Sequence, residues 1–122
     1  VEKDPAMAAQ LKRSAAELAL TPQVEVLRAD ATRERTQQEI LGHGPFSLVV
    51  ADPPYADAEQ ALAALTSLVG HGLLADGALL LLETSAKQIP NLPPEFELLS
   101  RYRYGDTAVA LFTPVSLGGE ER

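Results

Sequence analysis

The 122-residue sequence contains no cysteine. That absence excludes a disulfide framework, a thiolate metal site and a cysteine nucleophile. Long apolar runs are also missing: none exceeds five residues, as in Ala78 to Leu82, whereas a membrane span needs roughly 18. The N-terminus lacks the layout of a signal peptide, so the sequence reads as that of a soluble cytoplasmic protein with no membrane partner. Basic residues are scarce, with 10 Lys and Arg against 17 Asp and Glu and a net charge of −7. The shortage is steeper after residue 45, where 4 basic face 10 acidic groups. Counterion release, the usual source of nucleic-acid affinity, finds little support in such a balance. Any role on RNA or DNA has to come from the chemistry of particular residues.

What is present is an ordinary core. With 46% hydrophobic residues the chain is able to form a single domain over residues 1–122, with 114–122 as a flexible tail. Val1-Glu2-Lys3 reads as the last step of a strand, and Asp4-Pro5 supplies an N-cap and an N1 proline for a helix. Met7, Leu11, Ala15 and Leu18 mark one face of that helix, which runs to about Leu20. Val24 to Leu27 suits a strand and ends in Arg28-Ala29-Asp30. Residues 32–41 have weak helical periodicity, broken by Gly42-His43-Gly44-Pro45.

Phe46 to Ala51, apolar but for Ser47, lies between Pro45 and Asp52-Pro53-Pro54, the pattern of a parallel strand buried on both faces. A helix marked by Ala58, Leu62, Leu65 and Val69 follows, ended by Gly70 and Gly72. Ala78 to Leu82 predicts another buried strand, closed by Glu83. Residues 96–103 and 107–112 predict an antiparallel hairpin turning at Tyr104-Gly105-Asp106. The alternation of strands and helices predicts a mostly parallel, doubly wound α/β sheet with that hairpin at its edge. Ligands in such folds sit at the carboxyl ends of the parallel strands. Glu2, Asp30, Asp52 and Glu83 all stand at predicted strand ends. One such acid is commonly a turn or helix cap, but four on one rim suggest acceptors for a ligand rich in hydroxyl and amino groups.

Asp52-Pro53-Pro54-Tyr55, directly after a buried strand, is the most specific signal. The proline pair stiffens the loop and presents carbonyl oxygens. The exocyclic amine of a nucleobase is a poor nucleophile because its lone pair is delocalised into the ring. Two acceptors, the Asp52 carboxylate and the Pro53 carbonyl, would hold the two amine hydrogens and turn the lone pair toward an electrophilic methyl group. Tyr55 would offer a flat face to an unstacked base. The alternative is a proline-rich turn in which Asp52 caps the following helix.

These residues resemble the Asp-Pro-Pro-Tyr element of S-adenosylmethionine-dependent amino-methyltransferases. Taken with Val1-Glu2-Lys3-Asp4, Asp30-Ala31, Leu82-Glu83 and Tyr104-Gly105-Asp106-Thr107, the sequence from residue 1 to about 113 is similar to the bacterial small-subunit (16S) ribosomal RNA guanine-N2 methyltransferase family. The resemblance implies a Rossmann-like methyltransferase fold. It also implies that S-adenosylmethionine is bound by Glu2 and Lys3 at its ribose, by Asp30 and Ala31 at its adenine, and beside Asp52. Asp52, Pro53, Pro54 and Tyr55 would hold the guanine, S-adenosylhomocysteine would be the product, and no metal would be needed because the sulfonium is already an activated donor. The partner would be ribosomal RNA or an assembling small subunit, and the complete enzyme a monomer.

That family places a central strand and a glycine-rich loop ahead of the residues matched by Val1, so the sheet is expected to be split between two halves with apolar edges exposed. Ser14 to Glu17 stand where the family has an asparagine. Methylation of an adenine amine in DNA and a non-catalytic remnant acting as a binding module remain alternatives. Arg33 with Arg35 and Arg101 with Arg103 are candidate phosphate contacts. Tyr102 and Tyr104 alternate with the second pair and are expected to pack into the core. His43 and His71, each beside a glycine with no second ligand at metal spacing, read as solvent-facing loop residues.

Overall fold

The computed structural model describes residues 1–21, 27, 30–53 and 57–115. It divides into two compact units, Val1–Glu39 and Ile40–Arg122.

In the first unit, helix α1 spans Pro5–Glu17, with the Asp4 side chain accepting from the Ala6 N–H and proline at the first turn, as the sequence predicts. It stops short of Leu20: Leu18 is the C-cap, and Ala19 takes a positive φ of 57°. Only Ala8 and Ala15 are buried on it, and Met7, Leu11 and Leu18 are exposed. The expected apolar face is therefore largely bare. Glu2 donates its backbone N–H to the Leu27 carbonyl at 2.9 Å, which joins the two segments at that point. Residues 24–26 lie outside the described residues. Helix α2, Glu34–His43, begins in this unit and runs into the second. Gly42 and His43 continue it rather than break it, and the Gly44 N–H bonds the Leu41 carbonyl where it ends.

The second unit holds strand β1 (Phe46–Ala51), helix α3 (Ala58–Gly70), strand β2 (Leu74–Ser85), strand β3 (Phe96–Tyr104) and strand β4 (Thr107–Pro114). The four strands form one sheet in the order β1-β2-β4-β3. β1 and β2 are parallel, joined through α3, while β2–β4 and β3–β4 are antiparallel. This is the α/β sheet with a C-terminal hairpin that the alternation predicts. Gly105 opens the hairpin turn with φ +55°, the left-handed conformation that the first central position of a type II′ turn demands and that glycine adopts without steric cost.

One face of the sheet packs on α3. Leu62, Leu65 and Leu68 of the helix meet Leu73, Leu80, Leu82, Phe96 and Phe112 in one cluster, with Ile40, Leu41 and Val49 at its border. The Phe96 and Phe112 rings meet edge to face with centroids 5.0 Å apart, a favoured aromatic arrangement. Leu80 and Phe112 are fully buried.

The other face is open. Leu48 is 57% exposed and Val50 63%, and Leu79 is also exposed, so β1 is not buried on both faces as its sequence implies. A largely apolar run fits burial on two faces, but what covers the second face is set by distant parts of the fold rather than by the run itself. Tyr102 and Tyr104 lie on this open side and are exposed, contrary to the expected core packing. β2 does not close at Glu83 but runs on to Ser85, where backbone pairing with Thr107 holds it. Pro114 ends β4, and the Val115 N–H bonds the Glu95 carbonyl at 2.8 Å. Both therefore belong to the sheet edge rather than to the expected tail, and residues 116–122 lie outside the described residues. Among the described residues, no helix is long and apolar enough to cross a membrane.

Candidate functional site

Among the candidate residues of the first unit, Asp30 is held by the most contacts. Its Oδ1 accepts the Thr32 backbone N–H at 2.9 Å and the Thr32 hydroxyl at 2.6 Å. These bonds, the hydroxyl first, hold the Asp30 carboxyl below the usual carboxylate range against an opposing desolvation, and the charges of Lys3 and Arg33 add lesser pulls in the same direction as the bonds. Asp30 is thus a carboxylate at neutral pH, an acceptor only. Its own carbonyl takes the Arg33 N–H, and the Gln37 side-chain amide donates to the Ala31 carbonyl at 3.1 Å. The turn that carries Asp30 and Ala31 is therefore braced from both ends.

Glu2 is half-buried, and its Oε2 accepts the Asp4 N–H at 3.1 Å. Glu2 and Asp30 each use one carboxylate oxygen in a local turn. Each thereby acts partly as the cap that an isolated strand-end acid commonly is, with a second oxygen as a further acceptor. Thr32 and Gln37 are the residues that sequence reasoning passed over. The Asp-x-Thr spacing of Asp30 and Thr32 is the available signal, because it suits a side chain closing a turn two residues on. Arg33 and Arg35 are exposed at the start of α2.

In the second unit, Asp52 and Pro53 leave the carboxyl end of β1, beyond Ala51, which stands opposite Leu82 of β2. Asp52 is exposed and Pro53 half-buried; Pro54 and Tyr55 lie outside the described residues. The N-cap position of α3 belongs to Asp57, which makes no side-chain cap bond. Asp52 is five residues ahead of Asp57 and six ahead of Ala58, too early to serve as the cap of that helix. That removes the capping role as an account of this carboxylate. Glu83, half-buried in β2, is one residue past Leu82 and pairs with Val109. The parallel pair thus ends with two acids in successive positions of one rim, where α/β sheets take their ligands.

The weaker candidates divide. Arg101 and Arg103 share one side of β3 and are exposed. His43 is the last residue of α2, not a loop residue. The exposed His71 lies with Nδ1 2.7 Å from the Ser67 carbonyl. Among the described residues, no three His, Cys, Asp or Glu side chains group to hold a metal ion.

A family described as conserved hypothetical protein 95 matches residues 1–113. No curated protein matches the sequence. Among solved structures, the chain is similar to a conserved hypothetical protein from Streptococcus pyogenes, 24% identical with a TM-score of 0.77, over 91% of this chain and 67% of that one. It is similar to a proposed methyltransferase from Escherichia coli, 24% identical with a TM-score of 0.71, over 94% of this chain and 62% of that one. An rRNA methyltransferase from Streptomyces viridochromogenes is 24% identical with a TM-score of 0.51, over 88% of this chain and 48% of that one. At these identities the likeness is one of fold. The chain spans from 48% to 67% of the length of these three proteins.

Proposed function

The chain belongs to the conserved hypothetical protein 95 family, and from that premise we propose that it is the greater part of an S-adenosylmethionine-dependent methyltransferase acting on the exocyclic N2 of a guanine in small-subunit ribosomal RNA. The observation that carries this reading is the Asp52-Pro53 step. An exposed carboxylate leaves the end of a parallel strand, does not cap the next helix, and is followed by a proline carbonyl. The fold shared with a proposed methyltransferase and an rRNA methyltransferase supports the choice of reaction and of RNA.

The acid-rich donor set fits the cofactor. Asp30, kept ionised by Thr32, suits an adenine amino group, with the braced Ala31 backbone beside it. Glu2 suits ribose hydroxyls, and Lys3, close enough to Asp30 to bias its ionisation, belongs to the same group. When bound, S-adenosylmethionine supplies a methyl group on a sulfonium and leaves as S-adenosylhomocysteine.

The protein's own work is on the amine. The Asp52 carboxylate and the Pro53 carbonyl each accept one N2 hydrogen, which turns the lone pair out of the ring plane. As the new C–N bond forms, the amine acquires positive charge, which the Asp52 carboxylate stabilises until one proton is released through it to water. Pro54 and Tyr55 complete this reading from the sequence alone, one stiffening the loop and the other stacking on the base.

The test is incubation of the chain with methyl-labelled S-adenosylmethionine and unmodified small ribosomal subunits, followed by digestion to nucleosides. Label in N2-methylguanosine is the expected result. Label in methyladenosine would overturn the guanine reading. A chain that binds the cofactor calorimetrically yet transfers nothing to RNA or DNA would overturn the catalytic one.

A further inference from the structure

The sheet's pairing aligns Ala51 of β1, Leu82 of β2, Ala110 of β4 and Arg101 of β3 in one row across all four strands. Asp52 is the residue after Ala51, and Tyr102 is the residue after Arg101. Beyond that row, Tyr102 pairs with Val109, Arg103 with Ala108 and Tyr104 with Thr107. Because β3 runs in the same direction as β1, its last four residues rise along the rim at which Asp52 leaves the sheet. Three strand spacings separate the two ends of the row, about 14 Å.

These four residues alternate in kind and in side. Arg101 and Arg103 face one way, Tyr102 and Tyr104 the other, and all four are exposed, the tyrosines at 52% and 68%. β3 is an outer strand of the described sheet, so a ligand lying along its edge reaches both sides. The charge is unusual for its surroundings. Between residues 40 and 115 the only Lys and Arg side chains are Lys87, Arg101 and Arg103. Lys87 is brought to the same end of the sheet, because the N–H of its neighbour Ala86 bonds the Asp106 carbonyl in the hairpin turn at 2.8 Å. An acidic unit therefore gathers all of its described lysine and arginine charge beside two exposed aromatic rings.

We propose that Arg101–Tyr104, with Lys87, form a docking strip for the unpaired nucleotides that flank the target base, a reading that rests on the assignment of Asp52 to that base. Flat rings that stack on bases, alternating with cations for phosphates, are what a single strand requires. The spacing agrees. Tyr102 and Tyr104 are two residues apart, about 6.7 Å along the strand, roughly twice the 3.4 Å nucleotide rise of a stacked helix. The strip therefore takes bases that are splayed apart and offers a duplex little. The 14 Å from Asp52 is about two such steps, which leaves room for about one nucleotide between the reacting base and the one on the first ring.

The test is fluorescence anisotropy with a fluorescein-labelled eight-nucleotide single-stranded RNA, across a salt series, on the whole chain. Tyr102→Ala with Tyr104→Ala is expected to weaken binding tenfold or more, in line with about 1–3 kcal/mol per stacked base. Tyr102→Phe with Tyr104→Phe keeps the rings and is expected to bind as the parent does. Arg101→Gln with Arg103→Gln is expected to lower the slope of log affinity against log salt by about 1.4, at ~0.7 per phosphate on a single strand. Equal binding by the parent and the alanine pair, equal binding of duplex RNA, or no RNA binding by the parent would each overturn the strip. Calorimetry with S-adenosylmethionine and methyl transfer by Asp52→Ala are run alongside. If Asp52→Ala transfers methyl normally while the strip variants lose RNA, the reading of Asp52 fails and the strip stands as a single-strand site but not as one that flanks a base held by Asp52. If Asp52→Ala loses transfer while the strip variants bind RNA normally, the strip alone fails.

Discussion

Ala51 stands opposite Leu82 in the parallel register of β1 and β2, and the next residue of each chain is an acid, Asp52 where β1 ends and Glu83 where β2 runs on alone beside β4. The two strands are held there by α3, whose Leu62 and Leu65 pack into the same cluster as Leu82. A carboxylate in that place is positioned by the scaffold rather than by its own loop.

Replacing Asp52 by alanine is accordingly expected to reduce methyl transfer by about 100- to 1,000-fold, the loss typical of one preorganised polar contact in a transition state. Cofactor affinity is expected to be little changed. Single-turnover transfer and calorimetry on the same preparation check both halves, and transfer at the parental rate would remove Asp52 from the mechanism.

Asp30 carries a pH dependence whose sign is fixed by its bonds. Its folded-state ionisation is shifted below the ordinary aspartate value of about 4, mainly by the Thr32 hydroxyl and N–H. The carboxylate form is therefore favoured by folding. Its contribution is fully present above that ordinary value and is lost as pH falls through the lowered folded one. Carboxyl carbon chemical shifts followed from pH 6 downward are expected to give an Asp30 midpoint below that of an ordinary aspartate. The midpoint is expected to move up in Thr32→Val, and an unmoved one would show that the hydroxyl does not hold the charge.

The two faces of the sheet are expected to answer substitution differently. Leu80→Ala, in the fully buried cluster, is expected to cost about 2–5 kcal/mol. Leu48→Lys and Val50→Lys, on the open face, are expected to change stability by less than about 0.5 kcal/mol and to reduce self-association by putting charge on an apolar edge strand. Urea unfolding and light scattering measure the two effects. A large loss of stability in the lysine variants would mean that this face is covered.

Much of the fold was legible because its punctuation is strong. Pro45 and Asp52-Pro53 bracket β1, and Gly105 marks the hairpin turn that it then forms. What the residues alone do not carry is which face of a strand meets another layer. Leu48 and Val50 have the same apolar character as Val49, yet only Val49 packs against the core. Tyr102 and Tyr104 mislead in the same way, being aromatic on a side that nothing described covers. Glu83 misled about length, because backbone pairing carries β2 past a charge into Thr84 and Ser85. At the candidate site, Asp52 was legible as the acid just past the end of β1. The bracing by Thr32 and Gln37 was not, since it depends on the particular turn that those side chains close.

The central place of β2 bears on how the sheet opens. Leu80, Leu81 and Leu82 each have a partner on both sides, Val49, Val50 and Ala51 on one and Phe112, Leu111 and Ala110 on the other. A β1 that frays leaves the bonds to β4 in place, and a loosened hairpin leaves those to β1. A backbone N–H bonds one neighbour only, so among these three the amides that face β1 exchange when β1 frays and those that face β4 when the hairpin loosens, and their separate rates tell which side of the sheet opens first.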